Sequence, residues 1–401
     1  MSGIIVIGGG QAGASLVAKL RSNAYEGKIS LFAAEPEPPY QRPPLSKAYL
    51  LGDMEKERLY LRPREYYAEH NIDLHLATPV EAIDPTAKTI TAAGQTHEYD
   101  HLALCTGSIP RRLPAEIGGD LDGIFEVRDL ADVDRMEPAF TEGKHVLVIG
   151  GGYIGLEAAA VAAKLGLKVT LIEMADRILQ RVAAPETSDY FRDLHTSHGV
   201  EIREGVGLER LLGEGHVSGA MLTDGSELKI DFVVSGIGIL PDTRLAEAAG
   251  LALDNGIKTN EMGRTSDPAI WSAGDGASLP YRGERIRLES VQNAIDQAEA
   301  VAANMLGADT PYVPKPWFWS DQYDVKLQIA GLNTGYDRVV TRQGDRAGVS
   351  HWYYGGQTLL AIDAMNDARN YMIGKRLIEA GKSPEPAAIA NPDTDMKALL
   401  K

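Results

Sequence analysis

The chain has 401 residues, enough for two or three domains, and 44% of them are apolar and 24% charged, as in an ordinary globular protein. Its net charge of −16 argues against nucleic acid and membrane surfaces as partners, because both bind basic proteins. The single cysteine, Cys105, excludes an intrachain disulfide, a Cys-x-x-Cys redox pair and a cysteine-held iron–sulfur cluster. No apolar run reaches the roughly 18 residues that span a bilayer, and the first residues lack the basic region of a signal peptide. We therefore expect a cytoplasmic protein.

The first predicted elements form a strand–turn–helix–strand unit. In order it consists of an apolar run at residues 4–7, Gly8, Gly10 and Gly13 in a G-x-G-x-x-G pattern, a helical stretch at 14–21 and a strand at 28–32. The first glycine permits a tight turn, the second lets the backbone approach a pyrophosphate, and the third lets the helix pack on the strand. The helix N-terminus offers free N–H groups and about half a positive charge to the phosphates.

The same unit occurs again in the middle of the chain. It consists of an apolar run at residues 146–149, Gly150, Gly152 and Gly155 in the same pattern, a helical stretch at 156–165 and a strand at 168–172. A lone G-x-G-x-x-G is weak evidence, but here a strand precedes it, a helix and a second strand follow, and the whole arrangement is duplicated. The sequence therefore predicts two dinucleotide-binding units.

Shorter elements lie between and after these units. Strand-like stretches are predicted at 73–76, 88–91, 101–105, 199–203, 220–222 and 232–235, and at 263–273, which ends in Gly274-Asp275. A helix is predicted at 291–306, followed by a proline-rich linker with Pro311, Pro314 and Pro316. Beyond it, strands at 326–330, 338–341, 348–354 and 359–364 and a helix at 368–380 indicate a separate C-terminal α+β domain. The predicted fold class is α/β, with two Rossmann-like domains and this C-terminal domain.

Five further motifs make the sequence recognisable. They are PYQRPPLSK at 39–47, TGS at 106–108, AGD at 273–275, ESVQNA at 289–294 and WFWSDQ at 317–322. With them the whole chain resembles the FAD-dependent NADH:ferredoxin reductases that serve bacterial cytochrome P450 and ring-hydroxylating dioxygenase systems, within the glutathione-reductase-like flavoproteins. The resemblance implies an FAD domain that the NAD domain splits in sequence. The expected domains are 1–110 (FAD, first part), 111–241 (NAD), 242–318 (FAD, second part) and 319–401 (C-terminal).

The resemblance assigns FAD contacts to residues of the first and third segments. Gly8, Gly10 and Gly13 hold the pyrophosphate with Ala12 in the turn, and Asp275 accepts hydrogen bonds from the ribityl or pyrophosphate region. The usual position of the ribose acid is occupied by Ala33, so we assign that role to Glu35, two residues later. The remaining implied FAD contacts are Arg42, Val80, Thr106, Gly107, Arg128 and Val291.

Four residues are implied to act at the reacting rings. Lys47 reaches the flavin N5, where a cation stabilises the anionic reduced flavin, and pairs with Glu157. Glu157 and Glu289 flank the nicotinamide and orient its carboxamide, and Trp319, with Trp317 as the alternative, lies at the isoalloxazine. Cys105, on an apolar strand, is expected to be a small packed side chain.

The second unit is expected to bind NADH. Gly150, Gly152 and Gly155 hold its pyrophosphate with Ile154 between them, and Gly238 belongs to a loop on the nicotinamide side. Glu173 ends the second strand, where a carboxylate binds the ribose 2′-OH and repels a 2′-phosphate. Two arginines, Arg177 and Arg181, come only after Glu173, so NADH is favoured over NADPH.

The expected function is transfer of electrons from NADH through FAD to an external one-electron carrier. A disulfide reductase needs a cysteine pair near residues 40–47, and an NADH oxidase or peroxidase needs one cysteine there; the chain has none in that segment. A redox-sensing protein of the apoptosis-inducing-factor type stays open as an alternative, although its basic surface is missing. The expected acceptor is a [2Fe–2S] ferredoxin, with a rubredoxin as the alternative.

Overall fold

The computed structural model describes residues 3–401, without the side chain of Arg346. The chain forms two compact units, each assembled from separate segments. The first unit contains residues 3–42, 55–109 and 239–316, and the second contains residues 43–54, 110–238 and 317–401.

The helices have the following bounds: α1 Gln11–Ser22, α2 Arg64–Glu69, α3 Leu130–Met136, α4 Tyr153–Lys164, α5 Pro185–Ser197, α6 Arg244–Ala248, α7 Val291–Met305, α8 Ala368–Glu379 and α9 Pro386–Ala390. The strands up to the third segment of the first unit are β1 Gly3–Ile7, β2 Ile29–Phe32, β3 Ile72–His75, β4 Val80–Asp84, β5 Thr89–Ala92, β6 Gln95–Leu104, β7 Ser108–Pro110, β8 Ile124–Phe125, β9 His145–Ile149, β10 Lys168–Glu173, β11 Glu201–Glu204, β12 Leu208–Glu214, β13 His216–Leu222, β14 Glu227–Lys229 and β15 Phe232–Ser235. The remaining strands are β16 Ile239–Pro241, β17 Ile257–Lys258, β18 Ile270–Ser272, β19 Ala277–Tyr281, β20 Glu284–Ile286, β21 Trp317–Gln322, β22 Val325–Gly331, β23 Arg338–Gln343, β24 Val349–Gly355 and β25 Thr358–Met365.

The first unit is built on a seven-stranded sheet. Its order is β3-β2-β1-β6-β5-β4, with β18 added beside β6. The strands β3, β2, β1, β6 and β18 run parallel, and β1 is apolar and buried along its whole length, as expected for a central parallel strand covered on both faces. Helices α1 and α7 pack with this sheet in one apolar core. The helices contribute Leu16, Val17 and Val301 to that core. The arrangement brings the C-terminal ends of β1, β6 and β18 to one edge.

The second unit contains three sheets. A five-stranded sheet of order β11-β10-β9-β15-β8 repeats the parallel architecture of the first unit, with α4 beside it. A small antiparallel sheet follows in the order β12-β13-β14. The last sheet is antiparallel, with order β21-β22-β25-β24-β23, and α8 packs against it through Ile373 and Leu377. This last sheet and helix are the predicted C-terminal α+β domain.

The predicted fold class is confirmed, one predicted strand was wrong over part of its length, and the strand β21 had no predicted counterpart. Residues 263–269 are not a strand, because Thr265 and Asp267 bind nearby backbone groups in a turn that delays the strand until Ile270. The tryptophan-rich stretch is a strand, β21, whose register aligns Trp317 with Ala330 and Gln322 with Val325. Aromatic residues favour strands because they pack well on a pleated surface. Between residues 3 and 401, no helix combines the length and apolar character needed to cross a bilayer.

A buried acid joins α5 to the C-terminal sheet of the second unit. Asp363 is almost fully buried on β25, and its carboxylate accepts hydrogen bonds from the hydroxyls of Thr187 and Tyr353. His351, also buried, lies 2.8 Å from the Thr187 hydroxyl through Nδ1. Burial raises the pKa of Asp363 to about 6 despite its two hydrogen bonds.

Stability should therefore depend on the protonation of this acid. The folded pKa of Asp363 lies above the value of about 3.9 in an unfolded chain, so ionisation favours unfolding. The stability that the protonated acid contributes is lost as pH rises from about 4 to about 6, and it stays lost above that range. Asp363→Asn keeps an acceptor oxygen without the charge, so its thermal midpoint should rise relative to that of the wild type from about pH 4.5 to about pH 6, and the difference should then stay constant to about pH 7.5. A constant difference across the series would contradict this assignment.

Candidate functional site

The first glycine turn connects β1 to α1 in the first unit. Gly8 has a φ of +120°, and a Cβ there would lie 2.1 Å from the carbonyl oxygen of Cys105. A Cβ on Gly13 would lie 2.0 Å from the carbonyl oxygen of Gly8. Both positions thus require glycine because the protein's own backbone fills the space.

The middle glycine of the turn, Gly10, is not required by contacts within the protein. Gly10 has an ordinary extended conformation, with φ −90° and ψ −166°, and a Cβ there would meet no described atom within 4 Å. It is also the N-cap of α1, whose first turn carries no Asp or Glu among its described residues. A helix N-terminus with open space at its cap fits a phosphate that must approach the backbone closely. These residues therefore fit the pyrophosphate of a dinucleotide.

Several predicted FAD contacts converge on this turn. A Cβ on Gly274 would lie 2.9 Å from the Cβ of Ala12, which places the Gly274-Asp275 turn against the start of α1. A Cβ on Gly276 would lie 3.0 Å from the carbonyl oxygen of Gly107. The structure thus brings Asp275, Thr106 and Gly107 to the edge of the sheet where Gly8 and Ala12 lie, and Val291 follows at the first position of α7.

Glu35 lies just after β2 and is part of a small polar group. Arg42 forms an ion pair with Glu35, and the Tyr40 hydroxyl donates to the same carboxylate. The Ala77 N–H donates to the Glu35 carbonyl at 2.9 Å, which brings the segment leading to Val80 alongside. Glu35, the predicted ribose acid, and Arg42, a predicted FAD contact, are therefore neighbours, and Tyr40, which had no predicted role, binds the same carboxylate.

The second glycine turn repeats the geometry of the first within the second unit. A Cβ on Gly150, whose φ is +107°, would lie 2.4 Å from the Gly236 carbonyl oxygen, and one on Gly155 would lie 2.0 Å from the Gly150 carbonyl oxygen. Gly152 is the N-cap of α4, with φ −81° and ψ 177°, and a Cβ there would again meet no described atom within 4 Å. This turn fits a second pyrophosphate by the same test.

Glu173 ends β10 beside this turn. Its carboxylate accepts the Gly151 N–H at 2.7 Å and the Ala175 N–H at 2.8 Å, so the side chain is fixed toward the glycine loop. Arg177 donates instead to the Ser188 hydroxyl and to the Ala183 carbonyl. The arginine is thus committed to internal contacts, while a carboxylate faces the loop.

The loop that contains Gly238, which was predicted to lie on the nicotinamide side, and Ile154 border the same turn. Gly238 has a φ of +102°, and a Cβ there would lie 3.8 Å from the Arg111 side chain and 4.0 Å from the Arg181 guanidinium. Ile154, in the first turn of α4, is among the exposed large hydrophobic residues. Arg111 was not predicted as a site residue, because its position after β7 carries no motif.

Lys47 and Glu157 form an ion pair within the second unit. A 3₁₀ turn at Pro43–Ser46 leads into Lys47, whose Nζ lies 2.7 Å from the Glu157 Oε2, and the Lys47 and Glu157 side chains are only 19% and 2% exposed. Two hydroxyls complete the site: Ser46 donates to Oε2 and Ser320 donates to Oε1, each at 2.7 Å. The carboxylate is therefore held by one cation and two hydroxyls. Neither serine was assigned from the sequence, although both lie inside recognised motifs.

The other predicted ring contacts lie in both units. Trp319, half-buried on β21, has its ring 5.6 Å from that of Trp317 in the second unit. Glu289 forms an ion pair with Arg287 in the first unit. Arg128 lies in the second unit just before α3, and its backbone N–H donates to Asp132 at 3.2 Å.

Cys105 is a buried thiol at the end of β6. It packs in the apolar core with Val6, Ala103 and Ala273. Burial raises the pKa of the thiol to about 12, so the reactive thiolate is scarce at neutral pH. The thiol is a packed side chain with no redox partner in the chain.

Comparison with known proteins gives the same picture along the whole length. Residues 2–298 match the family model described as pyridine nucleotide-disulphide oxidoreductase, and residues 317–400 match the one described as reductase C-terminal. The chain is 41% identical over 402 residues to a rhodocoxin reductase of Rhodococcus erythropolis, covering 99% of this chain and 94% of the relative.

Two solved structures are similar to the whole chain. One is the covalent putidaredoxin reductase–putidaredoxin complex, with a TM-score of 0.96 at 37% identity, covering 100% of this chain and 98% of that one. The other is the ferredoxin reductase for the CYP199A2 system from Rhodopseudomonas palustris, with a TM-score of 0.96 at 38% identity and complete coverage of both chains.

Proposed function

We propose, for a chain that belongs to the pyridine nucleotide-disulphide oxidoreductase family, that the turn at Gly8–Gly13 holds FAD and the turn at Gly150–Gly155 holds NADH. The protein is an NADH-dependent flavoprotein reductase of the ferredoxin reductase type, and its cofactors are FAD and NADH. The assignment of each turn to its nucleotide is our own proposal. It rests on the order of the two turns along the chain, because in the reductases that the sequence resembles the first turn belongs to an FAD domain that the NAD domain splits.

The observation that carries the proposed electron path is the single inert cysteine. Members of a family named for disulphide chemistry can store electrons on a thiol pair, but here Cys105 is alone and buried. Electrons must therefore leave the chain for another molecule. We propose that this acceptor is a [2Fe–2S] ferredoxin serving a cytochrome P450 or another oxygenase, by likeness to the relatives above.

Residues of the chain stabilise charge and orient the reacting rings. FAD held at the first turn would supply the chemistry that links a two-electron donor, NADH, to a one-electron carrier. Lys47 supplies positive charge where negative charge accumulates, and Glu157 fixes the ammonium group through their contact of 2.7 Å. We assign to Glu157 and Glu289 the orientation of the nicotinamide carboxamide, and to Trp319 the contact with the isoalloxazine.

The proposed contacts to FAD outside the rings are those named from the sequence. Gly8, Gly10, Ala12 and Gly13 serve the pyrophosphate, Asp275 serves the neighbouring polar groups, and Glu35 with Arg42 serves the ribose side. The same proposal extends to the following residues: Val80, Thr106, Gly107, Arg128 and Val291. We also propose a cytoplasmic location, because NADH is supplied in that compartment.

The test is steady-state reduction of cytochrome c driven by NADH. The purified protein should release FAD on denaturation, and cytochrome c reduction should rise severalfold or more when a [2Fe–2S] ferredoxin is added. A rubredoxin added at the same concentration is the control carrier. Equal rates with and without the ferredoxin, in a preparation that retains FAD, would contradict the proposed acceptor.

The position of Glu173 leads to a prediction about nucleotide choice. At an effective dielectric constant of about 20, a carboxylate about 4 Å from a phosphate charge repels it by ~4 kcal/mol, which is on the order of a thousandfold in affinity. NADH should therefore have a much higher kcat/KM than NADPH. Glu173→Ala should lower the ratio of kcat/KM for NADH to kcat/KM for NADPH by about tenfold or more. Glu201→Ala, which removes a carboxylate from the neighbouring strand β11, is the control and should leave the ratio unchanged. Equal efficiency in the wild type would show that Glu173 does not face the ribose.

A further inference from the structure

Two buried polar residues of the WFWSDQ motif, Ser320 and Gln322, have no role in the proposed function. Ser320 and Gln322 alternate along β21, so they lie on the same face of the strand, and both are almost completely buried. Buried polar side chains have to find hydrogen-bond partners, because an unpaired one has a desolvation penalty of about 1–3 kcal/mol. The hydrogen-bond partners of Ser320 and Gln322 therefore indicate the role of this face of the strand.

Ser320, Gln322 and their partners form a continuous line of hydrogen bonds that runs from α5 to the Lys47–Glu157 ion pair, entirely within the second unit. The Tyr323 hydroxyl lies 3.2 Å from the His195 Nδ1, and the His195 Nε2 lies 2.7 Å from the Gln322 Oε1. The Gln322 Nε2 donates to the Ser320 hydroxyl at 3.1 Å, and that hydroxyl donates to the Glu157 Oε1 at 2.7 Å.

The donor and acceptor properties of these groups orient all hydrogen bonds of the line in the same direction. A carboxylate in an ion pair only accepts, so the hydroxyl hydrogen of Ser320 points to Glu157. The amide nitrogen of Gln322 only donates, so the Gln322 oxygen must accept, and it accepts from the His195 Nε2–H. The His195 Nδ1 then accepts from the Tyr323 hydroxyl. Every hydrogen in the line points toward Glu157.

The imidazole keeps this direction only while it is neutral. His195 is fully buried at the end of α5, and burial, with a smaller contribution from His198, lowers its pKa to about 4. A protonated ring would donate from both nitrogens and reverse the hydrogen bond with Tyr323. At neutral pH the ring is therefore a donor on the Gln322 side and an acceptor on the Tyr323 side.

We propose that His195, Gln322 and Ser320 are positioning residues, which orient the Glu157 carboxylate and through it the Lys47 ammonium group. Hydrogen bonds that run in one direction polarise one another, and in a buried site each places a partial positive charge nearer to the carboxylate. Ser320 fixes Oε1, which leaves Oε2 directed at Lys47 and Ser46. The inference rests on the proposed role of Lys47 and Glu157.

The first arm of the test measures NADH reduction of the flavin by stopped flow in the FAD-loaded protein. Gln322→Leu and His195→Leu should each slow the limiting rate by roughly 2- to 30-fold, with the apparent affinity for NADH unchanged. His195→Gln can keep a donor toward Gln322 and an acceptor toward Tyr323, so it should restore the rate to within about twofold of the wild type. His351→Leu removes another buried imidazole that contacts α5, through Thr187, and should leave the rate unchanged even if the protein is less stable.

The second arm does not depend on activity. In protein labelled with ¹⁵N-histidine, His195 should give the signature of a neutral ring that carries its hydrogen on Nε2. A ring protonated on Nδ1, a wild-type rate in Gln322→Leu, or a rate in His195→Gln as low as in His195→Leu would each overturn the proposal.

Two further variants distinguish a failure of the proposed function from a failure of the positioning role alone. A wild-type rate in both Lys47→Met and Glu157→Gln would remove the role of the ion pair, and the positioning role would fall with it. A slow rate in those two variants together with wild-type rates in the Gln322 and His195 variants would overturn the positioning role alone.

Discussion

Gly152→Ala is expected to lower kcat/KM for NADH on the order of a hundredfold while the thermal midpoint stays near that of the wild type. The backbone of Gly152 is in a conformation that any residue adopts, and a Cβ there would meet no described atom within 4 Å. The protein itself therefore tolerates alanine. The added methyl group would instead occupy the space into which the pyrophosphate must come. Stopped-flow reduction of the flavin at varied NADH and a thermal scan measure the two effects.

Gly155→Ala is the matched control in the same turn. Its Cβ would lie 2.0 Å from the Gly150 carbonyl oxygen, so the substitution forces α4 away from β9 and should lower the thermal midpoint. The two alanines thus separate a ligand requirement from a packing requirement. If Gly152→Ala were destabilised as much as Gly155→Ala, or kept full affinity for NADH, the second turn would not bind a nucleotide in the proposed way.

Lys47→Met is expected to slow flavin reduction by NADH on the order of 10- to 100-fold while FAD stays bound. The side chain keeps its length but loses the charge assigned to the reacting ring, and Glu157 loses its cation inside a buried site. Removing one partner of a buried ion pair leaves an uncompensated charge, so the thermal midpoint should also fall. The limiting stopped-flow rate, the flavin-to-protein ratio and a thermal scan measure these three effects.

Lys47→Arg keeps the positive charge and serves as the control. Its rate should lie between those of the wild type and Lys47→Met, because the guanidinium differs from the ammonium in shape and in the placement of its donors. A wild-type rate in Lys47→Met would remove Lys47 from the reacting site. Loss of FAD from that variant would mean that the lysine binds the cofactor instead.

Local patterns in the sequence were sufficient to predict most of the architecture. An apolar strand followed by G-x-G-x-x-G needs only neighbouring residues to specify a turn and a helix, and both copies fold as predicted. The strand β21 was missed because three aromatic residues in a run of six show neither a regular alternation nor a turn signal. Its identity as an edge strand depends on β22, which pairs with it.

The site was less predictable where contacts join distant positions. The resemblance named Lys47 and Glu157, which are 110 residues apart and which the structure places in contact. Ser46 and Ser320 could not be found in the same way, because a serine in a motif gives no sign of the carboxylate that it will bind. His195 gave still less signal, since it lies in no recognised motif and its partner Gln322 is 127 residues away along the chain.

The burial of Cys105 makes the protein a convenient starting point for thiol chemistry. Because the pKa of this thiol is raised to about 12 and its side chain is enclosed, a cysteine introduced on the surface would be the thiol that reacts with maleimide reagents. Spectroscopic probes and cross-linkers could therefore be attached at chosen positions without first removing the native residue. A series of such labelled variants would map where a ferredoxin docks by the loss of labelling in its presence.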